Sequence, residues 1–182
     1  MTDVIQNLDG ALLLGVQNLR VLVLDPLVIA YTHLGDAGMI WILLSAALLL
    51  YKPTRKAGAA GLLALALGFL CTNVALKHLV GRERPWLNVA GLIPLIEEHD
   101  PNSFPSGHTC AAFAAAVAWV MGTEKTWLRV LCVGAAACMG FSRLYVGVHY
   151  PLDVLAGVLV GTLAAVLARA ILRKAQKRRK AG

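Results

Sequence analysis

The sequence predicts an all-α integral membrane protein, a helical bundle of five to six spans preceded by an N-terminal amphipathic interfacial helix. Hydrophobic residues make up 58% of the 182 residues, and the mean hydropathy is +0.69. Several apolar runs approach the roughly 20 residues needed to cross a hydrocarbon core of about 30 Å. Basic residues gather in the short segments between these runs and after the last one. The length suits a single domain.

The first element is a helix predicted over residues 1–19. Within residues 4–18, apolar side chains recur at near-helical spacing with polar residues between them, which is typical of a helix lying along the membrane surface. Residues 20–34 are compatible with a span or with a non-crossing segment. Asp25 and Pro26 interrupt an apolar stretch that is short for a crossing. The count of five or six spans depends on this segment.

Five apolar runs follow and form the predicted core, residues 36–172. They lie near residues 36–51, 57–79, 105–122, 127–147 and 151–172. Basic residues occur in segments 51–58 and 122–129 and in the tail 173–182, and the positive-inside rule assigns all three to the cytoplasm. The non-cytoplasmic side then receives residues 80–104 and the short turn before the last run.

The net charge of +7 comes from the C-terminal tail. RKAQKRRK, residues 173–180, holds six of the 17 basic residues and no acid, which leaves 11 basic against 10 acidic residues elsewhere. Directly after a hydrophobic helix, such a tail marks a cytoplasmic end and contacts anionic membrane lipids. No aromatic residues that would stack on bases are interleaved with these charges, so we expect no nucleic-acid partner.

Three polar clusters fall on the same predicted side of the membrane. In KHLVGRERP, Lys77 and Arg84 are seven residues apart, so a helix continuing through both would point them to one side until Pro85 ends it. FPSGHT, residues 104–109, opens a helix. The third cluster, SRLYVGVHYPLD at residues 142–153, joins the ends of two apolar runs.

These clusters contain groups that bind a tetrahedral oxyanion. Lys77, Arg84 and Arg143 are cations, and the planar guanidinium fork of arginine fits phosphate oxygens. Ser106 and Gly107 lie at a predicted helix start, where free N–H groups and the positive end of the helix dipole attract an anion. The glycine also lets a ligand approach the backbone closely. Phosphate is therefore the expected ligand.

Two histidines and an aspartate supply the groups that phosphoryl transfer needs. Asp153 follows His149 by four residues, so its carboxylate would accept the proton of one imidazole nitrogen and leave the other free to attack phosphorus. Pro151 lies between them at a predicted first helical position, which proline favours. His108 would protonate the leaving oxygen and then activate water. Because the ordinary pKa of histidine is about 6.5, we expect a bell-shaped dependence of rate on pH.

The three clusters resemble the signature motifs of the type 2 phosphatidic acid phosphatase superfamily. The matching residues are Lys77 with Arg84 and Pro85, then Pro105, Ser106, Gly107 and His108, then Ser142 and Arg143 with His149 and Asp153. Every signature position and every gap within a motif is matched. The resemblance covers roughly residues 36 to 172, which leaves the N-terminal helix and the tail outside it.

This resemblance implies a helical membrane enzyme that needs no metal or other cofactor and forms a phosphohistidine. It implies that His149 is the nucleophile, Asp153 its orienting carboxylate and His108 the general acid and base. It also assigns phosphate binding to Lys77, Arg84, Ser106, Gly107 and Arg143. Bacterial members act on lipids such as undecaprenyl diphosphate, phosphatidylglycerol phosphate, phosphatidic acid or lipid A. We therefore expect a lipid phosphatase of the plasma membrane, with its active site on the non-cytoplasmic side and its C-terminus in the cytoplasm.

Two alternatives stay open. A vanadate-dependent haloperoxidase has a similar site, because vanadate mimics phosphate, although those enzymes are soluble and the long apolar runs weigh against one. An anion channel or transporter would use the same cations but would leave the spacing of His149 and Asp153 without a purpose. Nothing in the sequence distinguishes the lipid headgroups or sets an oligomeric state.

Other polar residues receive no catalytic role from the sequence. The acids at residues 97–100 lie outside the motifs, and the nearby cations would repel a divalent metal, so no metal site is predicted. The four cysteines contain no Cys-x-x-Cys pair, which argues against zinc. His33 and His78 have no place in the motifs and are interpreted as interfacial packing residues.

Overall fold

The structure, a computed structural model, describes residues 3–181, and every regular element in that range is helical. The helices are α1 (Asp3–Asn18), α2 (Asp25–Leu34), α3 (Met39–Leu50), α4 (Arg55–Phe69), α5 (Lys77–Val80), α6 (Pro85–Asn88), α7 (Gly107–Val120), α8 (Thr126–Tyr145) and α9 (Pro151–Ala181). A π-helical stretch, Leu70–Leu76, joins α4 to α5. The all-α class predicted from the sequence is confirmed.

The N-terminal helix forms as predicted and packs on the bundle through one side. Leu13 is completely buried and packs with Leu92 and Tyr150. Leu8 and Leu12, on other sides of α1, remain exposed. An amphipathic pattern in the sequence thus corresponds to a helix with one side against protein.

Residues 20–34 contain a helix that Asp25 and Pro26 begin rather than interrupt. Proline suits the first turn of a helix, because its missing N–H would have no intrahelical partner there. α2 is followed by a tight turn in which Gly38 has φ +72° and caps the start of α3. The segments Asp25–Leu34 and Asp36–Leu50 meet at an angle of 48°.

Three helical stretches in residues 3–181 are long and apolar enough to cross a membrane: Lys52–Val80, Thr126–Tyr145 and Pro151–Arg179. The bent pair formed by α2 and the segment through α3 would be a fourth crossing, and α7 is apolar but only 14 residues long. The protein is therefore an integral membrane helical bundle. Five or six spans stays a prediction.

Small residues let the central helices α4, α7 and α9 approach closely. Their shared core consists of alanines, which are Ala60, Ala64, Ala114, Ala118, Ala164, Ala165 and Ala168. At the end of the bundle where α7 and α9 begin, a Cβ atom on Gly157 would lie 2.7 Å from the carbonyl oxygen of Ser106. The second and third motifs are brought together by this contact, because both begin helices that touch there.

The helix does not continue from Lys77 to Arg84, so that prediction is wrong. The π-helical residues Leu70–Leu76 change the direction of the side chains that follow, as an inserted residue does. Gly81, with φ +59°, then closes α5 in the left-handed conformation that favours glycine. Arg84 is extended, and Pro85 begins α6 instead of ending a helix.

Candidate active site

A cavity of about 490 Å³ opens where α5 and α7 begin, beside the turn between α8 and α9. Its charged and polar lining comes from Thr72, Asn73, Lys77, Arg84, Glu98, Asp100, His108 and His149. Its apolar lining comes from Ile42, Leu62, Leu65, Ala66, Phe69 and Ala111, further along α3, α4 and α7. The cavity therefore combines a charged end with an apolar groove between helices.

Arg84 makes more hydrogen-bond contacts than the other two predicted cations, Lys77 and Arg143. Its side chain is nearly fully buried, with a relative exposure of 1%. Its Nη1 donates to the carbonyl oxygen of Val148 (2.8 Å) and lies 3.1 Å from Nε2 of His149, while its Nε donates to the carbonyl oxygen of Asp100 (2.9 Å). One guanidinium thus contacts the loop, the turn before α9 and the imidazole.

Arg143 and Lys77 are also buried, but they are placed differently relative to the cavity. Lys77 lines it, whereas Arg143 does not line it directly and lies behind Glu98. Arg143 Nη1 donates to Oγ1 of Thr32 (2.8 Å). Two of the three predicted cations, Lys77 and Arg84, therefore line one end of the cavity, and the third, Arg143, reaches it through Glu98.

Two carboxylates that received no role from the sequence pair with these cations. Asp100 forms an ion pair with Lys77, and Glu98 pairs with Arg143 and lies 3.9 Å from Arg84 Nη2. Both belong to the loop between α6 and α7. Burial alone would raise the pKa of Asp100, but hydrogen bonds from Lys77 and the neighbouring backbone lower it below the usual range. The positive charges of Lys77 and Arg143 are thus balanced by carboxylates of the same chain.

His149 is buried, and its contacts indicate one tautomer. Arginine has donors only, so the 3.1 Å contact with Arg84 makes Nε2 of His149 an acceptor and leaves the proton on Nδ1. That nitrogen lies 3.5 Å from Oδ2 of Asp153, too far for a hydrogen bond in this structure. Burial, and then the charges of Arg84, Arg143 and Lys77, lower the pKa of His149 well below 6.5. The imidazole is neutral at neutral pH.

Asp153 is fully buried and held by two groups that are not signature positions of the motifs. The backbone N–H of Tyr150 donates to Oδ2 (2.9 Å), and Nη1 of Arg82 donates to Oδ1 (2.7 Å). Nη2 of Arg82 in turn donates to Asp9 of α1 (2.7 Å). Sequence reasoning missed Arg82 and Asp9. For Asp9, the signal was a charged residue next to the apolar positions of α1.

His108 lines the cavity from the first turn of α7. Its Nε2 lies 2.9 Å from Oδ1 of Asp36, and the other oxygen of that carboxylate lies 2.8 Å from Nδ1 of His33. His33 is therefore a partner of a carboxylate at the site, and its interpretation as a packing residue is wrong. Asp36 is a further residue that the sequence did not indicate.

The predicted helix start is present, with Ser106 as the N-cap of α7. Its side chain accepts a hydrogen bond from the backbone N–H of Thr109 (3.4 Å). Ser106 is completely buried and does not line the cavity, whereas Gly107 does. A Cβ on Gly107 would lie 3.2 Å from Oδ1 of Asn73. Only the second of the two residues faces the cavity.

The described residues offer no evident place for a metal. Within residues 3–181, no group of three or more His, Cys, Asp or Glu is arranged to hold a metal ion. Glu98 and Asp100, the carboxylates that line the cavity, are paired with cations. The cationic side chains and the backbone N–H end of α7 that line the cavity suit an anion.

Comparison with known proteins gives one family. The model of the PAP2 superfamily matches residues 57–177. Undecaprenyl-diphosphatase of Sulfolobus acidocaldarius is 34% identical over 123 residues, which are 68% of this chain and 59% of that protein. The chain thus spans about three fifths of that relative's length.

Two solved structures share the fold, each with a TM-score of 0.78 and 28% identity. One is the crystal structure of Aquifex aeolicus LpxE, and the match covers 87% of this chain and 92% of the LpxE chain. The structure of the first transmembrane PAP2 type phosphatidylglycerolphosphate phosphatase from Bacillus subtilis covers 95% of this chain, with 88% of its own length matched.

Proposed function

The chain belongs to the PAP2 superfamily, and from that membership we propose that it removes a terminal phosphate from a membrane lipid phosphate or diphosphate through a phosphohistidine. The observation that carries the proposal is the environment of His149. Its neutral imidazole presents Nε2 to a buried arginine at the charged end of a cavity, while Nδ1 faces a carboxylate. Relatives named for undecaprenyl diphosphate and phosphatidylglycerol phosphate support a lipid substrate.

The reaction would proceed in two displacements. In the first, Nε2 of His149 attacks phosphorus, the bond to the lipid oxygen breaks, and His108 donates a proton to that oxygen. In the second, His108 takes a proton from water, whose oxygen attacks phosphorus and releases His149 with inorganic phosphate. Lys77, Arg84, Arg143 and the N–H end of α7 at Gly107 would hold the phosphoryl oxygens, whereas Ser106, the N-cap, would act by holding that end in place. Asp153 would stabilise the charged imidazole.

The apolar groove fits the lipid part of such a substrate. Ile42, Leu65 and Phe69 line the cavity next to its charged end, so an acyl or prenyl chain would extend between α3 and α4. The basic segments 51–58, 122–129 and 173–182 lie away from the motifs along the chain. By the positive-inside rule this arrangement favours a non-cytoplasmic active site and a cytoplasmic C-terminus.

Phosphate release by the purified protein tests the proposal directly. In detergent, with chelator and no added metal, we expect release from at least one of undecaprenyl diphosphate, phosphatidylglycerol phosphate, phosphatidic acid and lipid A. Orthovanadate should inhibit it, since vanadate resembles the transferred phosphoryl group. Halide oxidation with vanadate and peroxide would support a haloperoxidase instead. Anion flux in liposomes without phosphate release would support a transporter.

Glu98 must leave Arg143 before phosphate can bind there, so replacing it should strengthen anion binding. In Glu98→Gln, the side chain keeps its size but loses the charge that competes with phosphate. We expect the Kd of orthovanadate to fall about tenfold, because a charged partner of arginine is replaced by a neutral one. Calorimetry or ⁵¹V NMR on the detergent-solubilised protein measures this.

Glu97→Gln is the matched control, since Glu97 is the exposed neighbour in the same loop. It removes the same charge without touching a cation of the site, and its Kd for orthovanadate should stay at the wild-type value. Weaker binding by Glu98→Gln than by wild type would show that Glu98 supports the anion site rather than competing for it.

The protonation of His149 gives a second prediction. A group that must be neutral to attack loses activity as pH falls through its pKa, and here that pKa lies well below 6.5. We therefore expect the ¹⁵N NMR signals of His149 to show a neutral ring with the proton on Nδ1 at pH 6.5, where free imidazole measured alongside is partly protonated. The signals are assigned by their loss in His149→Gln. A half-protonated ring at pH 6.5 would contradict the prediction.

A further inference from the structure

We propose that Arg82 and Asp9 are positioning residues for the pair formed by Asp153 and His149, and that α1 is thereby part of the catalytic apparatus. The inference rests on the proposed function, because it concerns how that pair is held. Neither residue lines the cavity, so neither would touch the substrate. Asp9 also lies outside the stretch that the family model matches.

Arg82 joins two carboxylates in a buried site. Its side chain is 4% exposed, and the side chains of Asp9 and Asp153 are 2% and 0% exposed. Its Nη2 and Nη1 lie 2.7 Å from an oxygen of Asp9 and of Asp153 respectively. The guanidinium carbon lies 3.7 Å from the ring centroid of Tyr150, which covers it on one side. An arginine in this place can hardly turn without breaking an ion pair.

The contacts of Asp153 show what Arg82 does for the histidine. Oδ1 accepts from Arg82 and Oδ2 accepts from the N–H of Tyr150, so the plane of the carboxylate is fixed from both ends. Oδ2 is the oxygen that faces Nδ1 of His149. A buried carboxylate is costly unless it is paired, and Arg82 supplies the compensating charge. Removing Arg82 would free the carboxylate to rotate or to take up a proton.

Asp9 holds both Arg82 and the first turn of α9. One of its oxygens accepts from Arg82, and the other accepts from the backbone N–H of Leu152 (3.0 Å) in the first turn of α9. Leu152 is the residue before Asp153. α1 therefore contacts the catalytic carboxylate by two routes, through an arginine and through the backbone. A helix serving only as an interfacial anchor would not need a buried acid aimed at α9.

Substitutions at both residues test the inference. We expect Arg82→Met and Asp9→Asn to lower kcat about 10- to 100-fold, as loss of outer partners of active-site ligands does, with little change in KM. Arg82→Lys should recover part of the loss. In Arg82→Met, the ¹⁵N signal of Nδ1 of His149 should shift, because the carboxylate that faces this nitrogen is no longer held, while Arg84 still keeps the proton on Nδ1. A merely structural ion pair would leave that signal unchanged.

Arg20→Met is the matched control. Arg20 follows α1 and donates to the carbonyl oxygens of Tyr145 (2.7 Å) and Ile93 (2.6 Å), so it anchors the helix without reaching Asp153. This variant should lower the thermal unfolding midpoint but keep kcat and the His149 signals. Wild-type kcat in folded Arg82→Met and Asp9→Asn, or an equal loss in Arg20→Met, would overturn the inference.

The two proposals fail in distinguishable ways. A wild-type protein that releases no phosphate from any lipid would remove the proposed function. The His149 signals would still report whether Arg82 holds the carboxylate that faces Nδ1, because they require no substrate. Asp9→Asn keeps the shape of the side chain, so it covers the case in which Arg82→Met does not fold.

Discussion

Replacing His149 with glutamine is expected to lower phosphate release by about 10⁴-fold or more, the scale seen when a catalytic nucleophile is removed. Glutamine fills most of the imidazole volume but cannot form a covalent bond to phosphorus. With a ³²P-labelled lipid, wild type should yield a labelled protein that is stable in alkali and loses label in acid, as a phosphohistidine does. The variant should yield none.

His99→Gln serves as the control, because His99 is an exposed histidine in the loop that carries Glu98. It should keep wild-type activity and wild-type labelling. Folding of each variant is checked by its thermal unfolding in detergent. A folded His149→Gln protein that released phosphate from every lipid at the wild-type rate would remove His149 from the mechanism.

Arg84→Lys is expected to produce the second large loss, about 10³-fold in kcat/KM, within the range found for arginines that stabilise phosphoryl transfer. Lysine keeps the charge, but a single ammonium cannot reach Val148, Asp100 and His149 together as the guanidinium does. The Kd of orthovanadate should rise in parallel. Release of labelled phosphate over a range of lipid concentrations measures the effect.

The matched control replaces Arg129, which lies near the start of α8, at the opposite end of that helix from Arg143. Nε of Arg129 donates to the carbonyl oxygen of Thr123 (2.9 Å), so Arg129→Lys makes the same chemical change without touching the cavity. It should leave kcat/KM unchanged. Near-wild-type activity in Arg84→Lys would mean that charge alone is needed there and that the planar fork contributes little.

The fold was predictable because membrane helices are encoded locally. Long apolar runs gave most of the main helices to within a few residues, and Pro151 marked the start of α9 as expected. The predicted end of the last run at residue 172 is wrong, because α9 continues through the basic tail to Ala181. The break between Lys77 and Arg84 was also readable in principle, since Gly81 lies inside the supposed helix and glycine often closes one.

The site was predictable only in the part that motifs describe. Lys77, Arg84, His108 and His149 line one cavity, as convergence of the clusters required. Glu98 and Asp100 enter it from an irregular loop, and irregular loops have no periodic pattern that gives their course. The contact of Arg82 with Asp9 joins residues 73 positions apart, a tertiary pairing that no local pattern records.

The close contact between α7 and α9 fixes the start of α7 relative to the start of α9. The amide N–H of Ser106 donates to the carbonyl oxygen of Asp153 (3.0 Å), and a side chain at Gly157 would collide with the carbonyl oxygen of Ser106. His149, the proposed nucleophile, and the amide end of α7 therefore keep a constant separation, which would suit a phosphoryl group of invariant size. Under the proposed function, headgroups of different bulk would meet the loop that carries Glu98 and Asp100, and exchanging that loop between relatives is expected to alter substrate preference.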